Sequence, residues 1–257
     1  MTTNNQTLYK LTNITIAFIL LIAIWQLVIV IGDYPEALLP SPLSVWEGIL
    51  SLIATGIIFE HLQVSLMRFA AGYLSAVILA VLLGLILGRT QRIWDIFDPI
   101  VQVLRPVAPI AWTPFIVLWF GIGDMPAIVI IFIAAFFPVL LTTVSAVKKV
   151  DRTYLKVAQN LEIKQPQLMY KIILPAAFPS IANGLHIAIG TAWIFLVAGE
   201  MVGAQSGLGY LIIDSRNALD LDLVLAGIVF IGILGLILDK LIRVFEKWVG
   251  KQWGGAK

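Results

Sequence analysis

A chain of 257 residues that is 60% hydrophobic and only 12% charged, with a mean hydropathy of +0.98, carries more apolar surface than a water-soluble core can hide. The absence of cysteine excludes disulfides, thiolate metal sites and cysteine nucleophiles. Only two histidines occur, far apart at His61 and His186, and neither an H-E-x-x-H nor a G-x-x-x-x-G-K-[ST] segment is present, which argues against a zinc hydrolase and against a nucleotide site in this chain.

A helix needs about 20 apolar residues to cross a bilayer. Candidate spans fall at 12–31, 62–88, 107–121, 127–147, 180–202 and 223–242, so the expectation is an all-α membrane protein with about six transmembrane helices, 1–257 forming a single domain. The first apolar run is too long for a signal-peptide core and no small-residue cleavage site follows it, so it is expected to be a span. Lysine and arginine favour the cytoplasmic side. Threading six spans with the N-terminus inside puts every basic residue on an inner segment except Arg216, outside, and Arg68, within a span. Both termini are therefore expected in the cytoplasm. The net charge of +2 is a topological signal and not one for nucleic acid.

The second span repeats a small residue at every fourth position: Gly72, Ala76, Ala80, Gly84 and Gly88. Such a row lets helix backbones approach closely. Arg68 extends that row by one turn. Two readings stand for it, pairing with an acidic group near Glu60 or Glu200, or direct contact with an anionic substrate. Between 95 and 115 the chain changes character. Ile96, Phe97, Ile100, Val101 and Leu104 form the apolar face of a short amphipathic segment suited to a membrane surface. Pro106, Pro109 and Pro114 then break the third span, and open backbone at membrane depth survives only inside protein or along a cavity. Pro138, after Phe136 and Phe137, predicts a kink in the fourth span. Trp46, Trp94, Trp248 and Trp253 fall near interfaces, where amphipathic rings anchor. Trp112, Trp119, Phe136, Phe137 and Trp193 belong to the spans expected to line a path, although buried aromatics are as readily packing residues. Glu200, near the outer end of the fifth span, has three readings: a substrate gate, the partner of Arg68, or a solvated interfacial group.

The long inner loop, 148–179, is the most informative segment. Asp151 can cap a helix on which Tyr154, Val157 or Ala158, and Leu161 recur at helical spacing. Pro166 suits the first turn of a second short helix, which runs through Ile172, Ile173 and Leu174 to Pro175. An apolar stripe on an inner loop calls for a cover, and a soluble partner docking there is the economical one. The alternative is a loop packed on the protein's own inner face.

At this point the sequence resembles the permeases of binding-protein-dependent ABC importers, which carry a cytoplasmic E-A-A-x3-G-x9-I-x-L-P motif. Lys156, Val157 and Ala158, three residues, Glu162, nine residues, then Ile172, Ile173, Leu174 and Pro175 reproduce its spacing. Lys156 stands for the glutamate and Glu162 for the glycine. LPSPLSVWEGI at 39–49, WFGIGD at 119–124, AFFPVLLTT at 135–143 and AGEMVGAQSGLGYLI at 198–212 look like the nitrate/sulfonate/taurine/bicarbonate group, and the likeness covers roughly 35–250.

The resemblance implies a type I (MetI-like) importer fold in a bacterial inner membrane. Two permease copies, preferably a homodimer, would form the path for a small anion. Two ATPase subunits would dock beneath and hold the ATP and magnesium, leaving this chain without catalysis or cofactor, and a substrate-binding protein would deliver cargo outside. The coupling helix would map to about 153–164, with Ala158 and Leu161 as ATPase contacts and Tyr154, Val157, Glu162, Pro166, Leu174 and Pro175 completing the coupling surface. With glycine absent at 162, the helix is expected to continue there and Pro166 to set the bend. The rival reading is a stand-alone secondary transporter or channel, which usually places several ionisable groups in its spans. A membrane enzyme is disfavoured, since clustered histidines or paired carboxylates at active-site spacing are missing.

Overall fold

The computed structural model describes residues 3–252 and, among them, forms helices alone. Trp253 and Lys257 lie outside the described residues. The chain divides into two units, residues 1–59 with 211–230 and residues 60–210 with 231–257.

In the first unit, α1 (Thr3–Gly32) contains an apolar stretch, Thr12–Gly32, in which no residue is buried within the chain, as in a lipid-facing helix. Helix α2 (Pro42–Ala54) starts where its sequence says it should. Ser41 accepts the Ser44 N–H at 3.1 Å, and Pro42 occupies the first turn, where a missing N–H costs nothing. Its Trp46 is exposed.

The second unit is built on α3 (Ile57–Arg89), α6 (Asp124–Lys148) and α9 (Leu174–Gly203). The small-residue row of α3 is the surface that receives α6. A methyl on Gly72 would sit 2.7 Å from the Ile128 carbonyl, and one on Gly84 or Gly88 would strike Thr143 or Val147. Ala76 and Ala80 are fully buried in the same row. Helix α9 meets α6 in the same manner, with Gly184 against Thr142, Gly199 against Ala127 and Gly203 against Pro126.

Among the described residues, five helices are long and apolar enough to cross a bilayer, and a sixth crossing results if one bent pair counts as a span. That pair is α4 (Gln91–Leu104) and the Pro109–Trp112 turn leading into α5 (Thr113–Phe120), which meet at 85°. The third expected span is therefore broken where the prolines stand. Helix α4 buries Trp94 and Val101 and leaves Ile96, Phe97 and Ile100 uncovered. Trp94 corrects an expectation. Its ring is not an interfacial anchor but lies buried, with the Lys148 ammonium 5.0 Å from its centroid.

Helix α6 runs through Pro138 without interruption. Proline has no N–H to offer the Ala134 carbonyl, and the Thr191 hydroxyl of α9 approaches that carbonyl at 3.3 Å. The loop after α6 also differs from expectation. Helix α7 (Arg152–Asn160) is separate, but α8 (Gln165–Leu168) passes through a π turn at Met169–Ile173 directly into α9. The fifth span thus starts at Gln165 instead of 180, and Pro175, in the first turn of α9, does not end a helix. Helices α10 (Leu208–Ala218) and α11 (Leu221–Gln252) complete the chain.

Candidate functional site

Three places carry the chemistry: the α7 loop, a cavity along α6 and α9, and the surroundings of Arg68.

Asp151 starts α7 by accepting the Thr153 N–H at 2.8 Å. That bond, with the Thr153 hydroxyl, holds the Asp151 carboxyl below the usual carboxylate range. The cap therefore stays intact through that range and is lost only as pH falls below it. At the other end the Ile163 N–H bonds the Ala158 carbonyl at 3.0 Å and the Glu162 N–H bonds the Gln159 carbonyl at 3.0 Å. This pair of bonds is the Schellman arrangement, which needs a left-handed residue at the position of Glu162. Glu162 supplies it, with φ +52°. The helix accordingly stops before 162 instead of continuing through it, and Glu162, not Pro166, makes the bend. A β-carbon in that conformation costs about 1 kcal/mol. Glu162→Gly should remove the cost and slow amide exchange at Glu162 and Ile163 about fivefold, checked by hydrogen exchange.

The apolar stripe of this loop is divided. Tyr154, Val157 and Leu161 are exposed, at 57%, 51% and 67%, whereas Ala158 is buried within the chain at 1%. Ala158, expected as an ATPase contact, is thus not part of the exposed surface of this loop. Pro166 is exposed in the first turn of α8, and Leu174 and Pro175 are half-buried.

The cavity has a volume of about 790 Å³. Helix α6 contributes Phe137, Thr142 and Ser145, α9 contributes Ser180, Asn183 and Thr191, and Arg105 and Lys149 add two cations. Among the described residues, no carboxylate lines it. Of the residues expected along a path, Phe137 lines this cavity. Phe136 stacks on Phe132 with centroids 5.5 Å apart, and Trp112, Phe115 and Trp119 form an aromatic row that ends on exposed Trp119. Trp193 packs edge-on against Phe69 and donates to the Ile231 carbonyl at 3.2 Å, as a buried packing residue does. The cavity's polar residues went unread in the sequence, although a signal was available. Ser180, Asn183 and Thr191 fall on one helical face, as do Thr142, Ser145 and Lys149.

Arg68 is 3% exposed and all its donors are engaged. Nε and Nη2 reach Asp124 Oδ1 at 2.8 and 2.6 Å, and Nη1 reaches Glu200 Oε1 at 2.9 Å and the Ser206 carbonyl at 2.6 Å. Nη2 also donates to Ser206 Oγ at 2.9 Å. Glu200, equally buried, accepts the Ser65 hydroxyl and, on Oε2, the Gly209 N–H at 2.9 Å. Ser65 Oγ takes the Leu208 N–H at 2.8 Å. Gly207, at φ +102°, lies so close to the Glu200 carboxylate and the Arg68 guanidinium that a side chain there would collide with both. Arg68 therefore pairs with Glu200, and also with Asp124, which the sequence did not suggest. In this arrangement it has no donor left for a substrate, and the 206–209 turn is pinned across the ion pair.

Residues 76–251 match the family model described as binding-protein-dependent transport system inner membrane component. The chain is 37% identical to the putative aliphatic sulfonates transport permease protein SsuC of Bacillus subtilis, over 88% of this chain and 82% of that protein. It is 33% identical to the taurine transport system permease protein TauC of Escherichia coli, covering 88% and 84% of the two chains. Identity to the nitrate import permease protein NrtB of a Synechocystis species is 32%, covering 93% and 90%. Among solved structures, inward-facing conformations of the MetNI methionine ABC transporter share the fold, with a TM-score of 0.54 and 18% identity over 72% of this chain and 96% of that one.

Proposed function

Because the chain belongs to the family of binding-protein-dependent transport system inner membrane components, we propose that it forms the translocation path for a small anion of the nitrate, bicarbonate, sulfonate or taurine type. It is a membrane-spanning permease subunit of an ABC importer. Family membership sets aside the reading as a stand-alone carrier or channel, and it implies ATPase and substrate-binding partners.

The observation that carries the anion assignment is the cavity. Arg105 and Lys149 supply positive charge, the hydroxyls and amide of α6 and α9 supply short-range polar contacts, and no carboxylate opposes them. The relatives' cargoes, sulfonates, taurine and nitrate, bear the same kind of group. Two copies of the chain are taken to enclose the path. The α7 loop is taken to face the cytoplasm with both termini, in a bacterial inner membrane, and the partner ATPases to hold ATP and magnesium. Closure of those ATPases on ATP would shift the bundle between two arrangements through α7, as a ligand shifts any two-state equilibrium by its differential affinity.

The test is uptake by vesicles containing the complete transporter, screened with nitrate, bicarbonate, taurine and an alkyl sulfonate. One of these is expected to be carried, and Lys149→Glu is expected to lower its uptake at least about tenfold, a penalty near 1.4 kcal/mol. Carriage of a neutral or cationic solute instead, indifferent to Lys149→Glu, would refute the anion assignment.

A further inference from the structure

A second group of titratable side chains lies between α9 and α11. His186, on α9, directs Nε2 at Asp239 Oδ1, 3.0 Å away, and Nδ1 at Glu246 Oε1, 3.7 Å away, both on α11. Arg243, one turn beyond Asp239, donates Nε to Asp239 Oδ2 at 2.9 Å. His186 Nδ1 and Glu246 Oε1 are shut off from solvent, and neither has a hydrogen-bond partner among the described residues. From α3, the Tyr73 hydroxyl donates to the Leu185 carbonyl at 2.9 Å and is committed there.

A neutral imidazole has one N–H and one lone pair. If Nε2 carries the hydrogen, the lone pair of Nδ1 is turned on the Glu246 carboxylate. The other tautomer turns a lone pair on Asp239 at 3.0 Å. With both carboxylates ionised, either neutral form turns a lone pair toward one of them, whereas an imidazolium offers an N–H to Asp239 at 3.0 Å and positive charge to Glu246 at 3.7 Å. Charge balance points the same way. Arg243 meets Asp239, and Lys247 and Lys251 line the same cavity as Glu246, but an imidazolium sets a positive charge directly between the two carboxylates.

We propose that His186 is held as an imidazolium between Asp239 and Glu246, forming a one-proton site that ties α9 to α11. The face of α9 that lines the cavity through Asn183 and Thr191 belongs to the same helix. Loss of the proton would loosen that helix from its neighbour.

With two histidines in the chain, ring-¹⁵N-histidine labelling of this chain alone, assembled with unlabelled partner subunits in lipid nanodiscs, gives two ring environments, and His186→Gln identifies which is which. At pH 7.5, where a free imidazole is neutral, the His186 ring is expected to show both nitrogens protonated. In Glu246→Gln the amide N–H would donate to Nδ1, and the doubly protonated signal should be lost. The His61 ring, whose Nδ1 accepts the Gly207 N–H at 3.0 Å, reports that the variant is folded. Asp239→Asn serves as a second variant with the same expected loss. A neutral His186 ring in the unaltered chain, or an imidazolium that persists in both folded variants, would overturn the proposal.

Discussion

Replacing Arg68 with methionine should leave little folded protein in the membrane, because it strands the Glu200 carboxylate in a site where that side chain has no solvent exposure. Removing one partner of a buried, hydrogen-bonded ion pair costs about 3–5 kcal/mol, against a total stability of about 5–15 kcal/mol for a typical domain. The Ser206 contacts that fasten the 206–209 turn are lost with it. Lysine should not substitute, since one ammonium cannot reproduce a fork that meets Asp124, Glu200 and Ser206 together. The double variant Arg68→Met with Glu200→Gln should recover part of the loss, the non-additivity expected of directly coupled groups. Asp124→Asn should be far milder, because that carboxylate is 67% exposed. Yield of monodisperse protein and its thermal midpoint in detergent decide the matter. A variant lacking Arg68 that folded normally and lost only uptake would instead place the guanidinium on the substrate's route.

Charging the exposed stripe of α7 should have the opposite signature, with folding untouched and transport abolished. Tyr154 and Leu161 project from the helix with more than half their surface open, so aspartate at either position costs the isolated chain little. At a docked interface the same change buries an unpaired carboxylate where an apolar anchor stood. Truncation of central anchors alone costs 2 kcal/mol or more. Tyr154→Asp or Leu161→Asp should therefore weaken ATPase association by roughly thirtyfold or more and reduce uptake to background, with an unchanged thermal midpoint. Ala158→Asp would be a poor probe of docking. Its side chain is inside the chain, and a charge there should damage the loop itself.

The parts of the fold legible in the sequence were those written in a repeated pattern. The row from Gly72 to Gly88 announced a close helix contact, and the contact with α6 is made through its glycines. The three prolines after Leu104 announced a broken span, and the chain bends by 85° there. What could not be read was tertiary in origin. The left-handed Glu162 contradicts its residue preference, because the Schellman hydrogen bonds outweigh a cost of about 1 kcal/mol. Trp94 has the composition of an interfacial anchor, yet Lys148 and the body of the chain cover it. The cavity is faint in the sequence because its polar residues are small and sit within apolar spans, where aromatic and charged side chains give the stronger signal. Trp112, Trp119 and Trp193 drew notice by size, but Asn183 and Ser180 line the open volume. The His186 cluster joins groups separated by more than fifty residues in sequence, and only the packing of α11 on α9 brings them together.

Since the chain contains no cysteine, Leu161→Cys places a single thiol at the C-terminal end of α7. In inside-out vesicles of the complete transporter, that thiol should react with a membrane-impermeant maleimide and should form a crosslink to the nucleotide-hydrolysing subunit through a short bifunctional reagent. Labelling only from the opposite face of the membrane, or full reactivity with no crosslink to any ATPase, would contradict a role for this loop as the handle through which ATP moves the permease.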